Sequence, residues 1–139
     1  MPNTDILFYD DLHEQKYNDL CSRMKYLDEY HRAAAYLLSL DRVCREHIED
    51  LFDLQDDAII PEGLLKGWQT GTSRKTSRLC FNLWNGKSED PLNYTGDDTD
   101  RLDQYDTHRY YTPDEIFCCS YAPYYWQAIK LRYPDYTEL

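Results

Sequence analysis

The sequence predicts an all-α domain, a single-domain bundle of five or six short helices carrying a long acidic loop, and three observations predict it. Helix caps punctuate the chain. Between them apolar residues recur at i, i+3, i+4 and i+7, and no stretch of useful length alternates apolar and polar residues as a half-buried strand does. At 139 residues the chain has the usual size of one domain and buries about two thirds of its unfolded surface on folding, so one domain over 1–139 is expected.

Asp10 or Asp11 caps a first helix in which Tyr17, Leu20, Cys21 and Met24 share a face, ending near Tyr26. A second stretch starts at Asp28 and carries Tyr30, Ala34, Leu37 and Leu38, then Val43, Cys44, His47, Ile48, Leu51 and Phe52. Its apolar stripe shifts between Ser39 and Asp41, which predicts a kink or two abutting helices. Residues 56–71 contain Pro61, Gly63, Gly67 and Gly71 and read as a loop with one short turn around 64–68. Thr72 or Ser73 then caps a helix through Leu79, Cys80, Leu83 and Trp84, which Gly86 closes in the left-handed conformation. Residues 87–111 are polar and form the acidic loop. Thr112-Pro113-Asp114-Glu115 reads as a capping box with proline at the first helical position. A final helix bearing Tyr125, Trp126, Ile129 and Tyr133 stops at Pro134. The expected core includes Leu37, Val43, Ile48, Leu79, Leu83, Trp126 and Ile129.

Charge is segregated along the chain. The formal net charge is −11, yet residues 63–88 hold Lys66, Arg74, Lys75, Arg78 and Lys87 and no acid. That segment contributes +5, so the remainder carries −16. A polyanion-like majority argues against general DNA or membrane-surface binding, since phosphate contacts need a basic face. Five cysteines, an odd number without any C-x-x-C pair, read as free thiols in a reducing compartment. The acidic start MPNTDILFYDD lacks the positive charge of a signal peptide, and no apolar run matches a membrane span. A cytoplasmic protein without membrane contact is expected.

Four constellations bear on chemistry. Gly71 with Thr72, Ser73, Arg74, Lys75 and Arg78 sets hydroxyls and cations at a helix start, where N–H groups and the dipole favour an anion. The spacing is not a phosphate-binding P-loop, and the commoner reading is an ordinary cap whose cations pair with the protein's own acids. Asp10-x-x-His13 and Asp28-x-x-His31 have the spacing of di-metal carboxylate sites, but without bridging glutamates they read as helix caps beside surface histidines. His47, flanked by Cys44 and Asp50, lacks the third group and oxyanion site of a thiol nucleophile and reads as a histidine bonded to a carbonyl or to Asp50. Asp97, Asp98, Asp100, Asp103 and Asp106 form the densest acidic run and miss the calcium-loop pattern. With Tyr105, Tyr110 and Tyr111 as anchor rings they resemble a phosphate backbone presented to a basic groove, or else a solvated loop. No catalytic residue, metal set or cofactor is legible.

The segments EYHRAAAYLLSLDRVCREHIEDLF (29–52), IIPEGLLKGWQTGTSRKTSRLCFNLWNG (59–86) and SYAPYYWQAIKLRYP (120–134) resemble a family of small uncharacterised acidic proteins carried on phages and integrative elements of Gram-positive gut bacteria. The resemblance implies a setting rather than a mechanism: such proteins are often inhibitors of host nucleic-acid-targeting defence, anti-CRISPR proteins among them. The leading expectation is therefore a non-enzymatic acidic inhibitor, its partner a protein with a basic nucleic-acid groove. The alternative is an accessory protein binding nucleic acid or nucleotide phosphate at the helix start 71–78.

Overall fold

A computed structural model describes residues 5–91 and 107–137 of the chain. Seven α-helices account for most of these residues: α1 (Asp11–Arg23), α2 (Glu29–Leu40), α3 (Arg42–Glu46), α4 (Ile48–Leu51), α5 (Gly71–Asn85), α6 (Pro113–Ile116) and α7 (Ala122–Arg132). The all-α expectation holds, with more helices than foreseen because the stretch after Asp41 divides into two very short ones.

Asp10 is the N-cap of α1, and its carboxylate accepts the backbone N–H of His13 at 2.8 Å. His13, Tyr17, Leu20 and then Met24 form the buried stripe. The helix stops at Arg23, three residues short of the expected end, because Met24 turns to extended backbone. Asp28 caps α2 in the same way. From Ala33 to Leu40 that helix is buried on every side, since α1, α5 and α7 all pack on it; three consecutive alanines let those neighbours approach closely. The predicted break falls at Asp41, whose extended backbone separates α2 from α3.

Residues 52–65 correct the sequence reading twice. A two-stranded antiparallel ladder, β1 (Phe52–Asp53) with β2 (Ala58–Ile59), pairs Phe52 with Ile59 and Asp53 with Ala58. Two-residue strands are too short to show alternation, so periodicity misses them. The short turn is a 3-10 helix at Pro61–Leu65, not around 64–68. α5 begins at Gly71 with Thr70 as its cap, two to three residues earlier than expected, and closes at Gly86 with φ 77°. Packing of α5 on α2 buries Leu79, Cys80, Phe81 and Leu83.

The predicted capping box at Thr112 does not form. Thr112 Oγ1 donates instead to the Arg109 carbonyl at 2.9 Å, closing the 3-10 turn Thr107–Tyr111, and α6 runs only four residues. In α7 the buried stripe is Tyr125, Ala128 and Leu131. Trp126 is therefore 46% exposed and Ile129 half-buried, as is Val43, so three of the expected core residues move outward. Tyr125 takes the central place, with its hydroxyl 2.7 Å from Thr76 Oγ1. Tyr36 is fully buried and donates to the Leu7 carbonyl at 2.5 Å. Both rings thus satisfy their hydroxyls inside the core. All five cysteines are free, and burial pushes the Cys80 thiol up to about 12. No helix among the described residues is long and apolar enough to cross a membrane.

Candidate functional site

The basic face of α5 meets acceptors from the protein itself. At the helix start Thr70 Oγ1 accepts the Ser73 N–H at 3.0 Å, while Ser73 Oγ accepts the Thr70 N–H at 2.7 Å. Ser73 is fully buried and also donates to Gln69 Oε1 at 2.5 Å. Thr72 is half-buried, its carbonyl taken by Thr76 Oγ1 at 3.2 Å. Lys75 Nζ donates to the Glu115 carbonyl. Arg78 forms a two-pronged ion pair with Asp90, Nε to Oδ1 at 3.1 Å and Nη2 to Oδ2 at 2.8 Å, with both side chains close to nine-tenths buried. Of the candidate anion residues, Ser73, Lys75 and Arg78 are thus held by internal partners, while Arg74 stays half-buried on the same face.

Asp90 is the centre of a latch. Tyr111 donates its hydroxyl to Asp90 Oδ1 at 2.8 Å, and the Asp90 N–H donates to Thr107 Oγ1 at 3.0 Å. Burial and the neighbouring Asp90 charge raise the Tyr111 phenol well above its ordinary pKa. Tyr110 lies against the Arg78 guanidinium, 4.6 Å from ring centroid to carbon, and against Arg109 at 4.9 Å. Tyr110, expected with Tyr111 as an anchor ring for a partner, thus lies on Arg78 of α5, while Tyr111 bonds Asp90; both rings are half-buried. Asp97, Asp98, Asp100, Asp103, Asp106 and Tyr105 lie outside the described residues. A buried charge pair that loses one member leaves the other uncompensated, so Asp90→Asn is expected to cost about 2 kcal/mol of unfolding free energy. Urea denaturation of Asp90→Asn and Arg78→Met, singly and combined, checks it: a double variant less unstable than the sum of the singles identifies the pair.

The two histidines expected at the surface are buried, at 0% exposure for His13 and 4% for His31. His13 is neutral and fully bonded: Nδ1 accepts the Tyr9 N–H at 3.0 Å, so the proton sits on Nε2 and is donated to the Tyr36 carbonyl at 2.9 Å. Burial lowers its pKa to about 4. His31 is clamped between carboxylates, Nδ1 to Asp28 and Nε2 to Asp57, each at 2.7 Å. Burial opposes its charge, but the hydrogen bonds and charges of Asp28 and Asp57 outweigh that and raise its pKa. Asp57 reaches His31 from a left-handed backbone conformation, φ 55°, in the turn between β1 and β2. The clamp fastens the hairpin to the start of α2.

That hairpin carries an acidic stretch which sequence reasoning did not single out. Residues 46–62 contain Glu46, Glu49, Asp50, Asp53, Asp56, Asp57 and Glu62 and no lysine or arginine. Glu46, Glu49, Asp56 and Glu62 are exposed. Asp53 caps the turn by accepting the N–H groups of Gln55 and Asp56. Asp50 accepts the Trp68 indole N–H at 2.8 Å and lies 3.8 Å from His47, whose ring stacks flat on Trp68 at 4.4 Å. His47 thus sits beside Asp50 as expected, whereas Cys44 turns toward Ser73 and Ser77 and burial raises its thiol pKa far above normal. Among the described residues no group of three or more histidine, cysteine, aspartate or glutamate side chains is arranged to hold a metal ion.

No curated protein and no solved structure matches the chain. One family pattern covers residues 3–139, and the chain belongs to that family, described as a family of unknown function (DUF6075).

Proposed function

We propose that the chain is a non-enzymatic acidic binding protein that occupies the basic nucleic-acid groove of a nucleic-acid-targeting defence enzyme, a CRISPR effector being the leading case. The observation that carries this reading is the internal use of the basic face: Asp90 takes Arg78 and the Glu115 carbonyl takes Lys75. Glu46, Glu49, Asp56 and Glu62 stand outward on a segment fixed by the ladder and the His31 clamp. A fixed acidic surface suits a basic groove, because complementary fields speed encounter and its carboxylates replace phosphates. In this reading the protein acts in the cytoplasm of a bacterial host, encoded on a phage or integrative element.

Association kinetics with the captured enzyme test the proposal. Reversing Glu46, Glu49, Asp56 and Glu62 to lysine, or Asp97, Asp98, Asp100 and Asp103 to lysine, is expected to slow association by more than about tenfold at low salt. The set with the larger effect marks the contacting face. An association rate unchanged by both reversals and by added salt would exclude electrostatic mimicry. The alternative, anion binding at Thr72, Arg74 and the start of α5, predicts that Arg74→Glu abolishes retention on a phosphate or nucleic-acid matrix at low salt.

A further inference from the structure

A groove separates α1 from the arm formed by α3, α4 and β1. Its main chamber has a volume of about 560 Å³, within the range of small-molecule sites. A second chamber of about 300 Å³ continues toward Leu12, and Lys16 and Arg45 line both. Three cations from two helices converge here, Lys16 and Arg23 of α1 and Arg45 of α3. Leu54 and Ile60, both half-buried, supply apolar lining in front of the buried Ile48 and Phe52.

Lys16 and Arg23 share a single carboxylate, Asp19, at 3.4 and 3.3 Å, and all three side chains are a third or more exposed. Exposed pairs of this kind hold their partners weakly, so an incoming anion can compete with Asp19. Arg45 is steadied from behind, its Nη1 donating to the Ser39 carbonyl at 3.1 Å. Glu49 and Asp53 also line the main chamber, and Asp19 the second. Together with the net charge of −11 these acids disfavour a polyanion. Leu12, 58% exposed, extends the apolar surface at the far end.

We infer that this groove is a binding site for a singly charged amphiphile: one carboxylate or sulfonate head at Lys16, Arg23 and Arg45, and an apolar body along Ile48, Phe52, Leu54 and Ile60. The site is separate from the α5 latch, and its occupancy does not depend on the function proposed above.

Fluorescence titration of the full chain with 8-anilinonaphthalene-1-sulfonate tests the inference, with decanoate and decanol as competitors. Saturable binding at one site is expected, displaced by decanoate at concentrations at least tenfold lower than by decanol. The double variant Lys16→Glu/Arg23→Glu, both positions being exposed enough to leave the fold unchanged by circular dichroism, is expected to bind at least tenfold more weakly. Amide shift mapping with decanoate is expected to mark α1, α4 and β1. Absence of saturable binding, equal affinity in the double variant, equal displacement by decanol, or shifts confined to another face would each overturn the site.

Discussion

Gly63→Ala is expected to destabilise the protein by about 3 kcal/mol, at the upper end of what overpacking costs. A Cβ at Gly63 would stand 2.4 Å from the Asp50 carbonyl oxygen and 2.7 Å from Leu51 Cδ2. The first of these is backbone and cannot swing aside. Relief requires the 3-10 turn Pro61–Leu65 to lift off α4, which also strains the bond from Gln69 Nε2 to the Gly63 carbonyl at 3.0 Å. Gln69 in turn holds Ser73 at the start of α5, so the damage spreads to the latch helix. Gly67→Ala is the matched control, since a Cβ there meets nothing within 4 Å, and its midpoint in urea should stay within the small range of surface changes. Equal midpoints for the two variants would show that the turn does not pack as described.

Stability is expected to peak near pH 6.5 and to fall on both sides, with a different histidine responsible for each limb. His13 has a folded pKa of about 4 against an ordinary 6.5. The unfolded chain therefore binds the extra proton between these values. The stability that His13 contributes is complete above pH 6.5 and is lost as pH falls toward 4, by at most about 3 kcal/mol for a shift of this size. His31 has the opposite sign: its raised pKa makes the clamp complete below pH 6.5 and lost as pH rises through the folded value. Asp28, whose pKa is lowered by His31 although partial burial works the other way, keeps the clamp charged down to the acid range. Melting temperatures between pH 5 and 9 check the scheme. His31→Gln should flatten the alkaline limb and leave the acid limb in place, whereas an unchanged alkaline slope would remove His31 as its cause.

Local signals in the sequence carry much of this fold. The side chains of Asp10 and Asp28 cap α1 and α2 as read, the stripe shift places the break at Asp41, and Gly86 ends α5 with positive φ. These features depend on residues within one turn of each other, which is why they are visible. The register of α7 is not, because Tyr124, Tyr125, Trp126 and Ile129 put apolar groups on more than one face; only packing against α2 decides that Tyr125 goes in and Trp126 out. The β turn carries no glycine, and its left-handed position is filled by Asp57, so turn chemistry gives little warning of it.

The candidate site was less legible for the same reason. His31 and Asp57 are 26 residues apart and Lys75 and Glu115 are 40 apart, beyond any local pattern. The aspartate spacing at Asp10 and Asp28 is correctly read as capping, yet it says nothing of the buried imidazoles beneath. The acidic stretch 46–62 is readable as a charge run, but its first part shares the apolar pattern of a helix through Phe52 and its second part, with Pro61, reads as a loop. The contacts of Tyr110 with Arg78 and of Tyr111 with Asp90 are likewise too far apart along the chain to be read from it.

Displacement of nucleic acid tests the mimicry proposal most directly. A nucleic-acid-targeting enzyme retained on the immobilised chain is loaded with its own fluorescently labelled DNA or RNA, and the chain is added at low and at high salt while anisotropy is followed. The proposal predicts stoichiometric release of the labelled strand at low salt and weaker release as salt rises. A ternary complex in which the strand keeps its full anisotropy while the chain is bound would contradict it.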